Sequence, residues 1–448
     1  MRRFFLLFLV ILPFLLASCS GLEPTSQVSG TDSPASLTPQ TATSPSSVEP
    51  VATSPVTPAP TQRAGEVATP STPAGGAVIL QVWVPPQFDP ASGTPAGDLL
   101  AERLLAFSRR RPGVRVDVRV KAVEGPGGLL DTLTTASAAA PLALPDLVAL
   151  PRGLMETAAL KGLLHPYDSL SQAMEHQDWY DYARDLGRIQ NSVFGLPFAG
   201  DALLLVYRPA IIPTPPADWA SALQASGPMI FPAADTQALF TLAMYQAAGG
   251  EVRDDQGRPF LDVQPLTDVL GFYDEASQAG LMPFWLTQYA SDDQAWEAMI
   301  ENRANLAVTW ASRYLGNMLA DTSAAPLPTK SGSPYTLATG WVWAMAAPSE
   351  NQQLAAQLAE FLTDGDFLAR WSQAAGYLPS RPSSLQGWEN SSQQKIAADV
   401  LNSAHLYPPA EILSSLGPAL QGAAVQVLKD QAEPLIAAQQ AVNALSVP

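Results

Sequence analysis

Cysteine is nearly missing from this chain: one in 448 residues, with three histidines. A lone thiol excludes intramolecular disulfides and zinc or redox sites of the CxxC type, and dispersed histidines leave transition metals few ligands. Charge is also sparse, at 15% of residues, and unbalanced: 24 Lys and Arg stand against 41 Asp and Glu, a formal net charge of −17. An acidic chain repels phosphate backbones, so nucleic acid is excluded as an expected partner. No GxSxG elbow, HExxH pair or GxxxxGK[ST] phosphate loop occurs, and the acid pairs Asp254-Asp255 and Asp292-Asp293 read as solvated turns or helix starts. No enzyme signature, metal site or cofactor motif is therefore read from these residues. Proline is abundant, at 42 residues, and this biased composition concentrates in one segment.

That segment follows a distinctive N-terminus. Arg2 and Arg3 precede an apolar run from Phe4 to Leu16, too short for a settled transmembrane helix. The run ends in Leu16-Ala17-Ser18-Cys19, which resembles the lipobox of bacterial lipoproteins and implies removal of residues 1–18 with acylation of Cys19. From Ser20 to Gly76, Pro, Ser and Thr each occur 10 times and no aromatic residue appears, so residues 19–76 are expected to stay disordered as a tether, with a glycosylated stalk as the rival reading.

Past Ala77 the pattern turns globular. Val78–Val84 is a nearly continuous apolar run, as in a strand buried on both faces. Leu100, Leu104 and Phe107 mark a helix that stops before Pro112-Gly113, and Val114, Val116, Val118 and Val120 alternate with charged residues as a second strand. A helix over Gly128–Ala140 and a strand over Leu144–Leu150 complete a βαβ pattern. Later strands are expected at Leu203–Tyr207, Asn305–Trp310 and Trp341–Ala346, a helix through Leu354, Leu358 and Phe361, and a helical stretch over Pro418–Leu445 interrupted at Pro434.

Several of these segments together resemble the extracellular solute-binding proteins of ABC importers, the family with maltose-type sugar binders (family 1). The likeness covers nearly all of residues 78–380. It is carried by FSRRRPGVRVDV from Phe107 to Val118, by Leu144–Pro151 with Leu160–Asp168, by Gly195-Leu196-Pro197-Phe198 through Tyr207, by Asn302–Trp310, by Leu327–Lys330 as the return crossing, by Gly340–Phe361 and by Gly376–Ser380. One departure is Arg208 after Tyr207, where the family usually has Asn.

The resemblance implies an α/β, two-lobe periplasmic-binding-protein-like fold of type II, each lobe an open, mostly parallel sheet flanked by helices. Lobe 1 would comprise 78–199 and 328–373, and lobe 2 would comprise 200–327 and 374–448. The implied role is a monomeric, lipid-anchored, extracytoplasmic receptor that captures a mono- or oligosaccharide between its lobes and delivers it to an ABC permease. The alternative is a cell-surface sensing or interaction protein that keeps the fold without transport. Sugar sites combine stacking rings with amides and carboxylates. The candidate ligand residues are accordingly Trp310 and Trp341, Tyr377, Gln87, Asp201, whose other reading is a turn or helix cap, and Trp83, whose other reading is core packing.

Overall fold

The computed structural model describes residues 77–445; Cys19, the segment before it and the Pro/Ser/Thr-rich stretch lie outside the described residues. The apolar run at the start becomes strand β1, Val78–Val84. Its side chains alternate between two cores: Val82 and Val84 pack on the side of Phe88 and Phe107, and Trp83 packs on the other with Leu129, Val148 and Leu150. Burial on both faces is what a continuous apolar run supports. Strand β2, Val114–Val120, pairs in parallel along the whole of β1 and leaves its charged residues at the sheet edge. Strand β3, Leu147–Pro151, pairs in parallel on the other side of β1.

The short β4, Leu164–His165, and the hairpin of β5, Arg188–Ile189, with β6, Ser192–Val193, lead into β7, Leu196–Tyr207. Its twelve residues are buried up to the last. Then come β8, Met229–Ile230; β9, Leu306–Trp310; β10, Ser323–Ala325; β11, Thr336–Ala346; and β12, Ala404–Leu406. The main sheet runs in the order β2-β1-β3-β11-β7-β9-β8. Pairing is parallel at both wings, β2/β1/β3 and β9/β8, and antiparallel in the middle. The reason lies in β7 and β11. Residues 196–202 of β7 pair with β11 and residues 203–207 pair with β9, so β7 carries the chain out of the first half of the sheet and β11 brings it back in the opposite direction. Just before β11, Thr329 exchanges backbone hydrogen bonds with Ala217 and Trp219.

The helices follow their local signals. Pro95–Arg110 begins with Thr94 accepting the Gly97 N–H and buries Leu100, Leu104 and Phe107. Leu129–Ala139 and Gln352–Leu362 also stand where periodicity places them. The C-terminus differs. One helix runs Ala410–Asp430 straight through Pro418, ends with Gln431 in the left-handed region, and Pro434 opens the next helix, Pro434–Leu445. Proline at a first helical position costs nothing, because its missing N–H has no partner there anyway. Pro418 inside a helix forfeits a hydrogen bond, and packing of the long helix on Val263–Gln278 and Pro434–Leu445 outweighs that loss.

Candidate functional site

Where β7 leaves the first half of the sheet, Gly200 exchanges both backbone hydrogen bonds with Leu378, at 2.7 and 2.9 Å. A side chain at 200 would run into the hydroxyl of Tyr182, so glycine alone permits this approach. The bridge fixes the turn carrying Tyr377 beside Asp201. Gln87, exposed in the 3-10 turn Pro86–Phe88 after β1, stands beside the Tyr377 hydroxyl and favours its ionised form. Burial pushes the Tyr377 hydroxyl well above its ordinary range, and the charge of Asp201 adds to that.

Phe88 is the hub of an aromatic cluster at the same place. Its ring lies 5.1 Å from Trp341, 5.4 Å from Tyr377 and 5.2 Å from Phe198, centroid to centroid. The β7/β11 register slips at Trp341/Val342, leaving Phe198 unpaired. Such a bulge re-aims side chains. Trp341 stays half-buried, while Trp343 is stacked on Phe198 at 4.6 Å and closed off from solvent.

Asp201 turns toward the second half. One carboxylate oxygen accepts the backbone N–H groups of Ala202, at 3.0 Å, and Ser312, at 2.9 Å; the other accepts the Ser312 hydroxyl at 2.5 Å. It therefore braces the first turn of the helix Ala311–Gly316, directly after Trp310. Burial pushes its pKa up to about 7, against the pull of these hydrogen bonds, and the charge of Asp292 adds to the rise.

Trp310, half-buried at the end of β9, lines a cavity of about 50 Å³ with Leu203, Phe231, Phe240, Asp235 and Asp292. Asp292 accepts from the Thr309 hydroxyl at 3.1 Å and is ion-paired with Arg313, which also reaches Asp293. Burial raises the pKa of both Asp235 and Asp292. Asp292 does open a helix, Asp292–Ile300, as its sequence suggests. The solvated role expected of the Asp292-Asp293 pair holds for exposed Asp293, while Asp292 is turned into the cavity.

The structure thus brings Gln87, Tyr377, Asp201 and Trp341 together, and Asp201 links them through Ser312 to the turn after Trp310. Trp83 is set apart: 1% exposed, in the core on the far side of β1, with Lys121 over its ring at 5.0 Å. Phe88, Phe231, Asp235 and Arg313 escaped the sequence reading, and Asp292 entered it only as half of a solvated pair. Only Phe88, beside Gln87, had a local signal. Among the described residues no group of three or more His, Cys, Asp or Glu side chains is placed to hold a metal ion, and no helix is long and apolar enough to cross a membrane.

Comparison with known proteins gives this geometry its context. The sequence profile of the bacterial extracellular solute-binding protein family matches residues 107–402. A search of curated sequences returns no match. Among solved structures, the sugar-binding protein MalE from the phytopathogen Xanthomonas citri is similar, with a TM-score of 0.68 at 20% identity, over 82% of this chain and 98% of that one. The maltose-binding periplasmic protein MalE from Listeria monocytogenes, in complex with maltose, aligns with a TM-score of 0.67 at 15% identity, over 82% and 97%. A cyclic alpha-maltosyl-1,6-maltose binding protein from Arthrobacter globiformis gives 0.66 at 16%, over 83% and 98%. The two-lobe α/β binding-protein fold expected from the sequence is the fold observed. With the profile spanning well over half of its length, the chain belongs to the bacterial extracellular solute-binding proteins.

Proposed function

We propose that this chain is a carbohydrate receptor of an ABC importer, a monomer anchored to the membrane through an acylated Cys19 and holding its solute without changing it covalently. The observation that carries the reading is the gathering of half-buried rings with polar groups where β7 and β11 cross. Trp341 and Tyr377 offer flat apolar faces, Gln87 an exposed amide, and Asp235, in no ion pair among the described residues, a carboxylate beside Trp310. This is the mixture that sugar C–H faces and hydroxyls call for.

The lobes proposed are 78–199 with 328–373 and 200–327 with 374–448, closing over the guest by hinge motion of the crossing strands. At about 50 Å³ the cavity beside Trp310 has room for a few waters, so a sugar would lie across its mouth against the indole. Titration calorimetry with maltose, maltotriose and a panel of monosaccharides tests the substrate class: saturable heat with at least one supports it, and flat traces throughout would remove it. Palmitate labelling of the wild type but not Cys19→Ser tests the anchor. Delivery to a permease is tested by sugar uptake in cells with and without the gene.

A further inference from the structure

A larger and more open depression lies elsewhere and has a different chemistry. Between the helices Pro95–Arg110, Gln352–Leu362 and Gly365–Ala375 is an open groove of about 660 Å³, lined by Arg103, Arg110, Arg111 and Arg370. In a chain with 24 basic residues against 41 acidic ones, four arginines around one groove are a marked concentration.

The carboxylates of the groove do not neutralise all four. Asp364 pairs with Arg103 at 3.2 Å and accepts the Phe367 N–H. Glu360 accepts the Ser171 hydroxyl at 2.5 Å. Asp366 stands exposed on the rim. Arg103 is further tied to the Phe361 carbonyl, at 2.9 and 2.5 Å, and Arg111 to the Gln357 side chain, at 3.2 and 3.0 Å. Arg110 and Arg370 form no ion pair among the described residues. The Phe361 ring holds both Arg103, 3.5 Å from its centroid, and Arg110, at 4.9 Å. A guanidinium laid on a ring keeps its N–H edge for an anion. Burial lowers the pKa of Arg103; Asp364 opposes this, and the like charges of Arg110 and Arg370 add to the lowering.

We propose that this groove is a binding site for a phosphate group, held by Arg110, Arg370 and Arg111. Planar guanidinium forks match phosphate oxygens, and an anion there relieves the crowding of like charges. The phosphate belongs to a free anion or to a lipid headgroup. Arg110 and Arg111 lie at the C-terminal end of Pro95–Arg110, about 20 Å along that helix from the end that Gln87 and Phe88 precede, and exposed Arg370 lines the groove from a helix whose next residue, Trp371, turns its buried ring to Phe88 at 5.5 Å. Sugar binding by the Arg110→Gln/Arg370→Gln variant is measured beside phosphate binding.

The test uses the full chain at low salt: calorimetry with inorganic phosphate and with pyrophosphate, and co-sedimentation with phosphatidylglycerol-containing vesicles against pure phosphatidylcholine vesicles. Saturable binding in either arm is expected, reduced about tenfold or more in Arg110→Gln/Arg370→Gln and weakened by added salt. Binding in solution assigns a free anion, and binding to anionic vesicles alone assigns a headgroup. Arg110→Lys/Arg370→Lys should retain part of the affinity, and Arg109→Gln, on the same helix but outside the groove, all of it. No binding in either arm, or equal binding by the Gln double variant, overturns the proposal.

Discussion

Asp201 grips Ser312 twice, through its backbone N–H at 2.9 Å and its hydroxyl at 2.5 Å, and so ties the crossing strand to the turn behind Trp310. The bond is made at a cost, because the carboxylate is desolvated and its pKa is pushed up to about 7. An unfolded aspartate titrates near about 3.9. Between about pH 4 and 7 the folded chain keeps a proton that the unfolded chain has released, so this residue's contribution to stability falls as pH rises through that window. Asp201→Asn has no proton to lose there. Urea midpoints measured from pH 4 to 8 should show the wild type falling relative to Asp201→Asn; parallel curves would refute this.

Trp310 and Trp341 are half-buried, so their removal separates binding from folding. Either one replaced by Ala should weaken sugar binding by about one to a few kcal/mol while the chain still folds cooperatively. Calorimetry on both variants, beside thermal melts, checks it; unchanged affinity with a large loss of stability would return these rings to the core.

Trp83 should behave oppositely. Trp83→Ala is expected to lose about 3–5 kcal/mol of stability, the usual cost of emptying a core aromatic site, with sugar affinity unaltered. Its indole N–H is buried with no partner among the described residues, so Trp83→Phe should cost far less. Chemical denaturation of the two variants distinguishes this from a ligand role.

Gly417 and Gly422 share one helix and predict opposite outcomes. A Cβ at 417 would press on the carbonyl of Thr236 and meet Gln237 Cα at 3.0 Å, whereas nothing lies within 4 Å of one at 422. Gly417→Ala should cost about 1–3 kcal/mol and loosen the loop leading into Leu239–Ala247, beside Trp310. Gly422→Ala should gain about 0.5–1 kcal/mol. Paired denaturation curves decide, and equal effects at both positions would defeat the argument.

The local patterns alone determined the strands Val78–Val84, Val114–Val120, Leu147–Pro151 and Leu306–Trp310 and the helices Pro95–Arg110, Leu129–Ala139 and Gln352–Leu362. Val78–Val84 reads as doubly buried because every residue in it is apolar except Gln81, and Thr94-Pro95 starts a helix by chemistry contained in two adjacent residues. The near-absence of cysteine and histidine fixed, with no structure at all, which kinds of site could not be built. Tertiary structure decided the rest. Whether Asp201 meets solvent or Ser312 depends on a partner 111 positions away. Trp83 and Trp341 are alike in composition of their surroundings, yet one is sealed beneath the sheet and the other stands beside a bulge. Pro418, itself exposed, sits within a helix because distant helices pack on that helix's buried face. Periodicity is set by neighbours three or four residues off, whereas burial and hydrogen-bond partners are set by which strands meet, and only the folded chain makes that choice.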